Sequence, residues 1–514
     1  MLSNRIVIKN SFIGTAAQIC SMLLSFISQR FFLMYLGLEI VGIQSVVGET
    51  LGILAFAELG VGTAIIYRLY KPLAENNQQE IAKLMHLYRY LYRVIGIIVL
   101  LVGMVLMLFL PVFINDSTKD MQFIRIVYII QLISTASTYF FAYKRSLIYV
   151  DQKQFVCKIV DISVNMIFTL LRIITLILFH DYFVYLGLQL VQVVAANIIL
   201  SIYCDKKYPY IHQKDCGKYE NVKEIFKDTK DILVGKIAGY VYASTDNLVI
   251  STFSGIVSAG GLSNYKYVTN SVKNLVNSMT DSITATIGNF VQVKQTDESF
   301  RMLKRYTFIR YMVANIVAVG LFNCTDDLIA LVFGSQYLLA RSITLLIVID
   351  IYIGIVYGPL GEFVTALGYF HYEKYINVAG AFINIALSII CVQFMGIQGV
   401  LVGTCVSQVF FWIAKSILLC GKYFGDWKKL GHLWKWYSSF IVLTGGLITG
   451  ISVMVEMLWN NEVSMVLLVM KAILCIIMSM LVNTLIYFRT DSYQYMLKLI
   501  SIVLAKVGMG KRSQ

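Results

Sequence analysis

The chain has 514 residues, of which 58% are hydrophobic and only 14% charged, with 4 Pro and a mean hydropathy of +0.72. Soluble domains carry roughly a quarter charged residues, so this balance excludes a soluble enzyme or binding module and makes the chain an integral membrane protein. Its net charge of +14 would suggest nucleic acid in a soluble protein, and the placement of the charges decides what it means here.

Apolar runs of about twenty residues, enough for a helix to cross a bilayer, fall near 10–34, 40–67, 91–113, 123–147, 157–179, 183–204, 232–254, 260–290, 306–324, 341–366, 375–395, 398–419, 437–458 and 464–488. The first follows Arg5 and Lys9 as a signal peptide would, but no small-residue cleavage site follows, so it reads as a span. About fourteen spans put both termini on one side. With that side taken as cytoplasmic, 35 of the 43 Lys and Arg fall on it, as the positive-inside rule requires. The other eight are Arg30, Lys119, Arg125, Arg172, Lys266, Lys273, Arg341 and Lys471. Most of the excess charge is therefore a topology signal and an attraction to anionic lipid, and no nucleic-acid partner follows from it. Nine scattered Cys form neither a disulfide framework nor a zinc spacing, and Cys324 stands alone on the outer side.

Taken in order, the first span has a mild polar stripe (Ser11, Thr15, Gln18, Ser21, Ser25, Ser28). Arg30 lies about 100° off it, which leaves open both snorkelling to the interface and a place in a cavity. The second span shows one small or polar face, Gln44, Gly48, Gly52, Ala55, Glu58 and Gly62, suited to close helix contact; Glu49 points elsewhere and reads as pairing locally. In the fifth, Asp161 and Arg172 lie nearly on one face but about 16 Å apart along the axis. Each therefore needs another partner. The seventh carries Asp246.

The eighth stretch, Asn264 to Asn289, sets Lys266, Asn270, Lys273, Asn274, Asn277, Asp281, Thr284 and Gly288 at helical spacing against a greasy opposite side. Among membrane spans such a stripe faces a water-filled cavity or other protein; the alternative is a helix lying in the interface. The tenth span carries Asp350 and Glu362, and its run Gly358-Pro359-Leu360-Gly361-Glu362 reads as a kink, with Gly358, Pro359 and Gly361 as a hinge or a packing bend. Further pairs, Gly235/Gly239, Gly354/Gly358, Gly399/Gly403 and Gly446/Gly450, read as helix-packing contacts. The tail 493–507 is amphipathic and suited to the inner leaflet.

An internal echo links Asp151-Gln152-Lys153-Gln154-Phe155 and a span bearing Asn165 to His371-Tyr372-Glu373-Lys374-Tyr375 and a span bearing Asn384. The expected fold is all-α and membrane-integral. Two pseudo-symmetric six-helix lobes, 1–204 and 232–419, surround a central cavity and are joined by a cytoplasmic linker, 205–231. Two added spans over 437–488 and a cytoplasmic tail, 489–514, complete it. No Walker loop, HExxH, strand-borne GxGxxG or Ser/His/Asp arrangement can be placed, so no ATPase, hydrolase, cofactor or metal site is expected.

Four stretches in order carry a resemblance: Arg30 to Gly42 (RFFLMYLGLEIVG), Ala57 to Ala74 (AELGVGTAIIYRLYKPLA), Thr245 to Asn264 (TDNLVISTFSGIVSAGGLSN) and Ala381 to Gln408 (AFINIALSIICVQFMGIQGVLVGTCVSQ). The chain resembles the polysaccharide-exporter, or Wzx-type oligosaccharide flippase, family of the MOP superfamily. The resemblance implies a flippase that carries an undecaprenyl-diphosphate-linked oligosaccharide to the outer leaflet of a bacterial plasma membrane, with membrane lipids and a glycan polymerase or glycosyltransferases as further partners. The family's cationic cavity maps onto Arg30, Lys266 and Lys273, with Asn270 and Asn277 beside them. Asp161, Asp246, Asp281, Glu58 and Arg172 are the expected ion-coupling residues or charge partners. The alternatives are a MATE-type cation-coupled drug exporter, a multispan glycosyltransferase or polymerase, and a non-transporting scaffold of a glycan-assembly complex.

Overall fold

The computed structural model describes residues 4–54, 61–114, 116–151, 153–213, 230–293, 296–459 and 462–512. Those residues contain no strand, and eleven of their helices are long and apolar enough to cross a membrane. The three expected runs outside that set have physical reasons to differ. The run 40–67 is shared between α1 (Asn4–Gly52) and α2 (Val61–Ala74). The run 232–254 breaks at Thr245 into α7 (Lys230–Ser244) and α8 (Asp246–Ser254). The run 260–290 forms one helix, α9 (Ile256–Val293), whose wet stripe lowers its hydropathy.

The first two expected spans are not separated by a loop. They share α1, which bends at Gly37 with φ 81° and ψ 173°, a backbone region that a residue without Cβ reaches at little cost. One turn on, α1 meets the start of α9 backbone to backbone. A Cβ on Gly42 would lie 3.1 Å from the carbonyl carbon of Ile256, and one on Gly260 would lie 3.1 Å from the amide nitrogen of Gly42. Only the glycine pair permits that approach. The other expected small-residue contacts divide: Gly52 meets Tyr240, Gly358 meets Arg310 and Gly403 meets Ser388, whereas Gly48, Gly239, Gly446 and Gly450 face nothing within 4 Å.

Two compact units result, Met1–Ser263 with Val392–Ile397, and Asn264–Cys391 with Gln398–Gln514. In the first, α4 (Met121–Val150) packs on α3 (Gln78–Leu106) and α6 (Tyr182–Lys207), and α5 (Gln154–Phe179) packs on α1 and α6. Buried tyrosines bind the core: Tyr88 shares a 2.9 Å hydrogen bond with Ser146, and Tyr128 donates to the Gly103 carbonyl at 2.8 Å. Glu39, just past the Gly37 bend, accepts from the Ser117 hydroxyl at 2.7 Å and from the Thr118 amide and hydroxyl at 2.6 Å each. That clamps the connection before α4 onto α1.

In the second unit α10 (Thr296–Val332) is the hub, packing on α11 (Arg341–Ala366), α14 (Trp427–Trp459), α15 (Met465–Tyr487) and α16 (Asp491–Arg512). The helices expected as additions are stitched into it by polar groups that lipid could not satisfy. Asn315 donates to Thr444 at 2.8 Å, Asn483 to Asn315 at 3.0 Å, and Tyr311 to Asn483 at 2.7 Å. Tyr311 also stacks on Phe440 at 3.8 Å.

Candidate functional site

Within the first unit, α1, α4, α5 and α6 enclose a cavity of about 580 Å³ whose wall includes Ser21, Thr138, Arg145, Lys158, Asp161, Asn165, Gln192 and Asn197. The local sequence explains the wall. Thr138, Ala142 and Arg145 on α4, and Lys158, Asp161 and Asn165 on α5, recur at helical spacing and give each helix one wet face. Arg145 and Asp161 form an ion pair, about one to two turns in from the α4–α5 connection. Deeper along α5, Gln192 donates to Asn165 at 3.0 Å, Thr169 donates to the same oxygen at 3.2 Å, and Arg172 donates to Thr169 at 2.9 Å. The Arg172 guanidinium also lies over the Tyr185 ring, 5.1 Å from its centroid. Asp161 and Arg172 thus have separate partners, Arg145 for the one and the Thr169–Asn165 ladder with Tyr185 for the other. Such a wall can hold water, an anion at Arg145 and Lys158, or a cation at Asp161.

Of the expected site residues, Asp161 lines this cavity; among the described residues Arg30, Arg172 and Asp246 are not on its wall. Arg30 is exposed on α1. Asp246 is buried at the first residue of α8. Its neighbour Asn247 donates to Ser45 and to Glu49, both at 2.7 Å. Glu49, expected to pair locally, therefore bonds nearly 200 residues away, because the break at Thr245 turns the Asn247 amide toward α1. On α9, Lys266 and Lys273 are half-buried and Asn270 is exposed; of the expected greasy side Val268 and Val276 are buried, together with Tyr265, while Val272 and Leu275 are half-buried. Tyr265 fixes that greasy side by donating to Asp326 at 3.0 Å and accepting from the Leu339 amide at 3.0 Å. Glu58 and the side chains of Asn277 and Asp281 lie outside the described residues.

The residues expected as a hinge, Gly358, Pro359 and Gly361, sit within α11, whose helix continues through them, with Arg310 beside Gly358 and Lys415 beside Gly361. Sequence reasoning missed Arg145, Lys158, Arg310 and Lys415 because it counted them as loop charges. Lys415 is buried and donates to Glu373 at 2.9 Å. Their signal was available in the polar spacing of each helix, read through the loop boundary rather than up to it. Among the described residues no His, Cys, Asp and Glu group could hold a metal ion.

Solved structures share this helical fold. The lipid II flippase MurJ in an inward closed conformation aligns over 93% of this chain and 99% of its own, with a TM-score of 0.63 and 13% identity. An inward-facing multidrug resistance MATE family transporter of the MOP superfamily aligns over 79% and 98%, with a TM-score of 0.60 and 11% identity. The Vibrio cholerae MATE transporter VcmN, in a mutant form, aligns over 81% and 97%, with a TM-score of 0.56 and 12% identity. No curated protein matches the sequence significantly. Residues 7–286 match the family of polysaccharide biosynthesis proteins, and the chain belongs to that family.

Proposed function

We propose that this protein flips an undecaprenyl-diphosphate-linked oligosaccharide from the inner to the outer leaflet of a bacterial plasma membrane by alternating access, with both termini cytoplasmic. The observation that carries the reading is a polysaccharide-biosynthesis family match on a fold shared with a lipid II flippase. The 580 Å³ polar cavity supports it, since a sugar chain needs wet walls inside a bundle that is otherwise greasy. Arg30, Lys266 and Lys273 are the cations assigned to the diphosphate, with Asn270 and Asn277 as further substrate-binding residues. Asp161, Asp246, Asp281, Glu58 and Arg172 serve as charge partners, and Gly358, Pro359 and Gly361 as the bend of α11.

An anionic headgroup moving outward travels with the membrane potential, worth about 2.3 kcal/mol per charge per 100 mV, so no nucleotide hydrolysis is required. Lys273→Ala and Arg30→Ala are each expected to abolish surface glycan while the protein stays in the membrane; normal glycan in both variants rejects the assignment. Lys273→Arg retains more activity than Lys273→Ala, because a point charge is what the phosphate needs. The second reading, MATE-type drug export, draws on the shared fold, and drug accumulation in a deletion strain with intact surface glycan would select it.

A further inference from the structure

Pro359 has no amide hydrogen, so the carbonyl of Ile355, one turn earlier in α11, loses its helical donor. Arg310 of α10 takes that place, its Nε donating to the Ile355 oxygen at 3.1 Å. The residue beside the proline is glycine, and a Cβ on Gly358 would lie 3.0 Å from the Arg310 guanidinium carbon. The missing side chain is the slot that admits the arginine. Arg310 is only 5% exposed, and a buried cation of this kind needs a counter-charge. Glu362, one turn beyond Gly358, supplies it: its Oε1 lies 3.7 Å from Arg310 Nη1, and its other oxygen accepts from Tyr306 at 2.8 Å. Nη1 has no hydrogen-bond acceptor.

We propose that Glu362 is a proton-binding site: ionised, it holds Arg310 against α11 at Pro359, and protonated, it lets Arg310 go and frees that turn of the helix to move. The chemistry is a choice between two partners for one carboxylate. With Arg310 in its slot the negative charge is compensated, the orphaned carbonyl is satisfied and α11 is pinned. Once Arg310 leaves, a largely buried carboxylate that has lost its nearest counter-charge takes up a proton more readily. Tyr306 and Arg310 face it from α10, and Asp350 and Tyr357 lie on its own helix. Lys415, from α13 (Ile397–Leu418), reaches the next residue, Gly361, while paired with Glu373 of α12 (Phe370–Met395). Because that lysine already has a partner, Arg310 is the cation that decides the charge of Glu362. The use of this proton to drive a cycle rests on the transport reading above; the site itself does not.

The test is a pH-difference infrared spectrum of the full-length protein in liposomes, alongside surface glycan in cells. The expected result is a protonated-carboxyl band that rises on acidification and is absent in Glu362→Gln, with glycan lost in that variant although the protein reaches the membrane. Tyr306→Phe removes a donor to the charged form and leaves the arginine in place. Its band is expected at a pH higher by about one to two units, the worth of a hydrogen bond to a charged group, which also keeps the test open if Glu362→Gln fails to accumulate. A band unchanged in Glu362→Gln, or unmoved in Tyr306→Phe, overturns the proton site. A lost band with normal glycan overturns its role in the cycle. Surface glycan that is normal on deleting the protein itself rejects the flippase reading and leaves the infrared result standing.

Discussion

The two units differ in what surrounds their charged side chains. In the first, Arg145, Lys158, Asp161 and Asn165 face an open cavity of about 580 Å³. In the second, Arg310 faces Glu362, Lys415 faces Glu373 and Lys471 faces Asp327, while a crevice of about 370 Å³ among α10, α11, α13 and α14 is walled by such groups as Tyr352, Trp412, Ile441 and Ile448. The echoed asparagines repeat the contrast. Asn165 and Asn384 each bond the following helix, to Gln192 at 3.0 Å and Thr404 at 3.0 Å, yet Asn165 is half-buried on the cavity wall and Asn384 is fully buried. A charge inside the membrane is thus no sign of a pathway in itself. Where helices touch, a charge pair becomes a rivet, in the first unit as well, where buried Lys144 lies 2.6 Å from Asp205; what sets that unit apart is the open cavity that the Arg145–Asp161 pair lines.

The widest test of this contrast is to cut a rivet. Lys471 is buried and donates to Asp327 at 2.6 Å, so Lys471→Ala strands a carboxylate and is expected to cost about 3–5 kcal/mol of stability, while replacing both partners with apolar residues is close to neutral. Thermal unfolding in detergent reads the difference. Next comes Asn384→Ala, expected to cost about 1–2 kcal/mol because a buried interhelical bond is lost in apolar surroundings. Asn165→Ala is expected to cost less than about 1 kcal/mol, since water in the cavity replaces the lost group, and yet to reduce surface glycan. Equal stability losses for the two asparagines would erase the distinction between the units.

The smallest effect lies at the surface of the second unit. Arg305 holds Asp491 at the start of α16 with two 2.9 Å hydrogen bonds, and that hydrogen bonding keeps the Asp491 carboxyl below its usual range. A lowered carboxylate pKa stabilises above the unfolded value, and the contribution disappears as the pH falls through the folded one. Asp491→Asn is therefore expected to weaken the docking of α16 at neutral pH by no more than about 1 kcal/mol, because the pair is exposed. At a pH low enough to protonate Asp491 in the native chain the variant makes no difference, which limited proteolysis of the tail at two pH values would show.

Much of this molecule was legible in one dimension. Hydropathy runs alone settle that it is helical and membrane-embedded, because a backbone in lipid must satisfy its own hydrogen bonds. The 3.6-residue spacing on α9 sets exposed Asn270 apart from buried Val268 and Val276, since a helix turns every residue by the same angle. Separate partners for Asp161 and Arg172 follow from the rise per residue in the same way. These are properties of a single helix, and the sequence carries them in full.

What the sequence could not supply is which helix stands next to which. Arg310 and Lys415 read as loop charges until α10 and α13 placed them against Glu362 and Glu373, and Glu49 read as a local partner until the break at Thr245 delivered Asn247 to it. Pro359 was visible as a proline in a span, but only packing shows an arginine from α10 filling the gap that the missing amide leaves. Partner choice depends on distances between elements far apart in the chain, and periodicity holds no information about those distances.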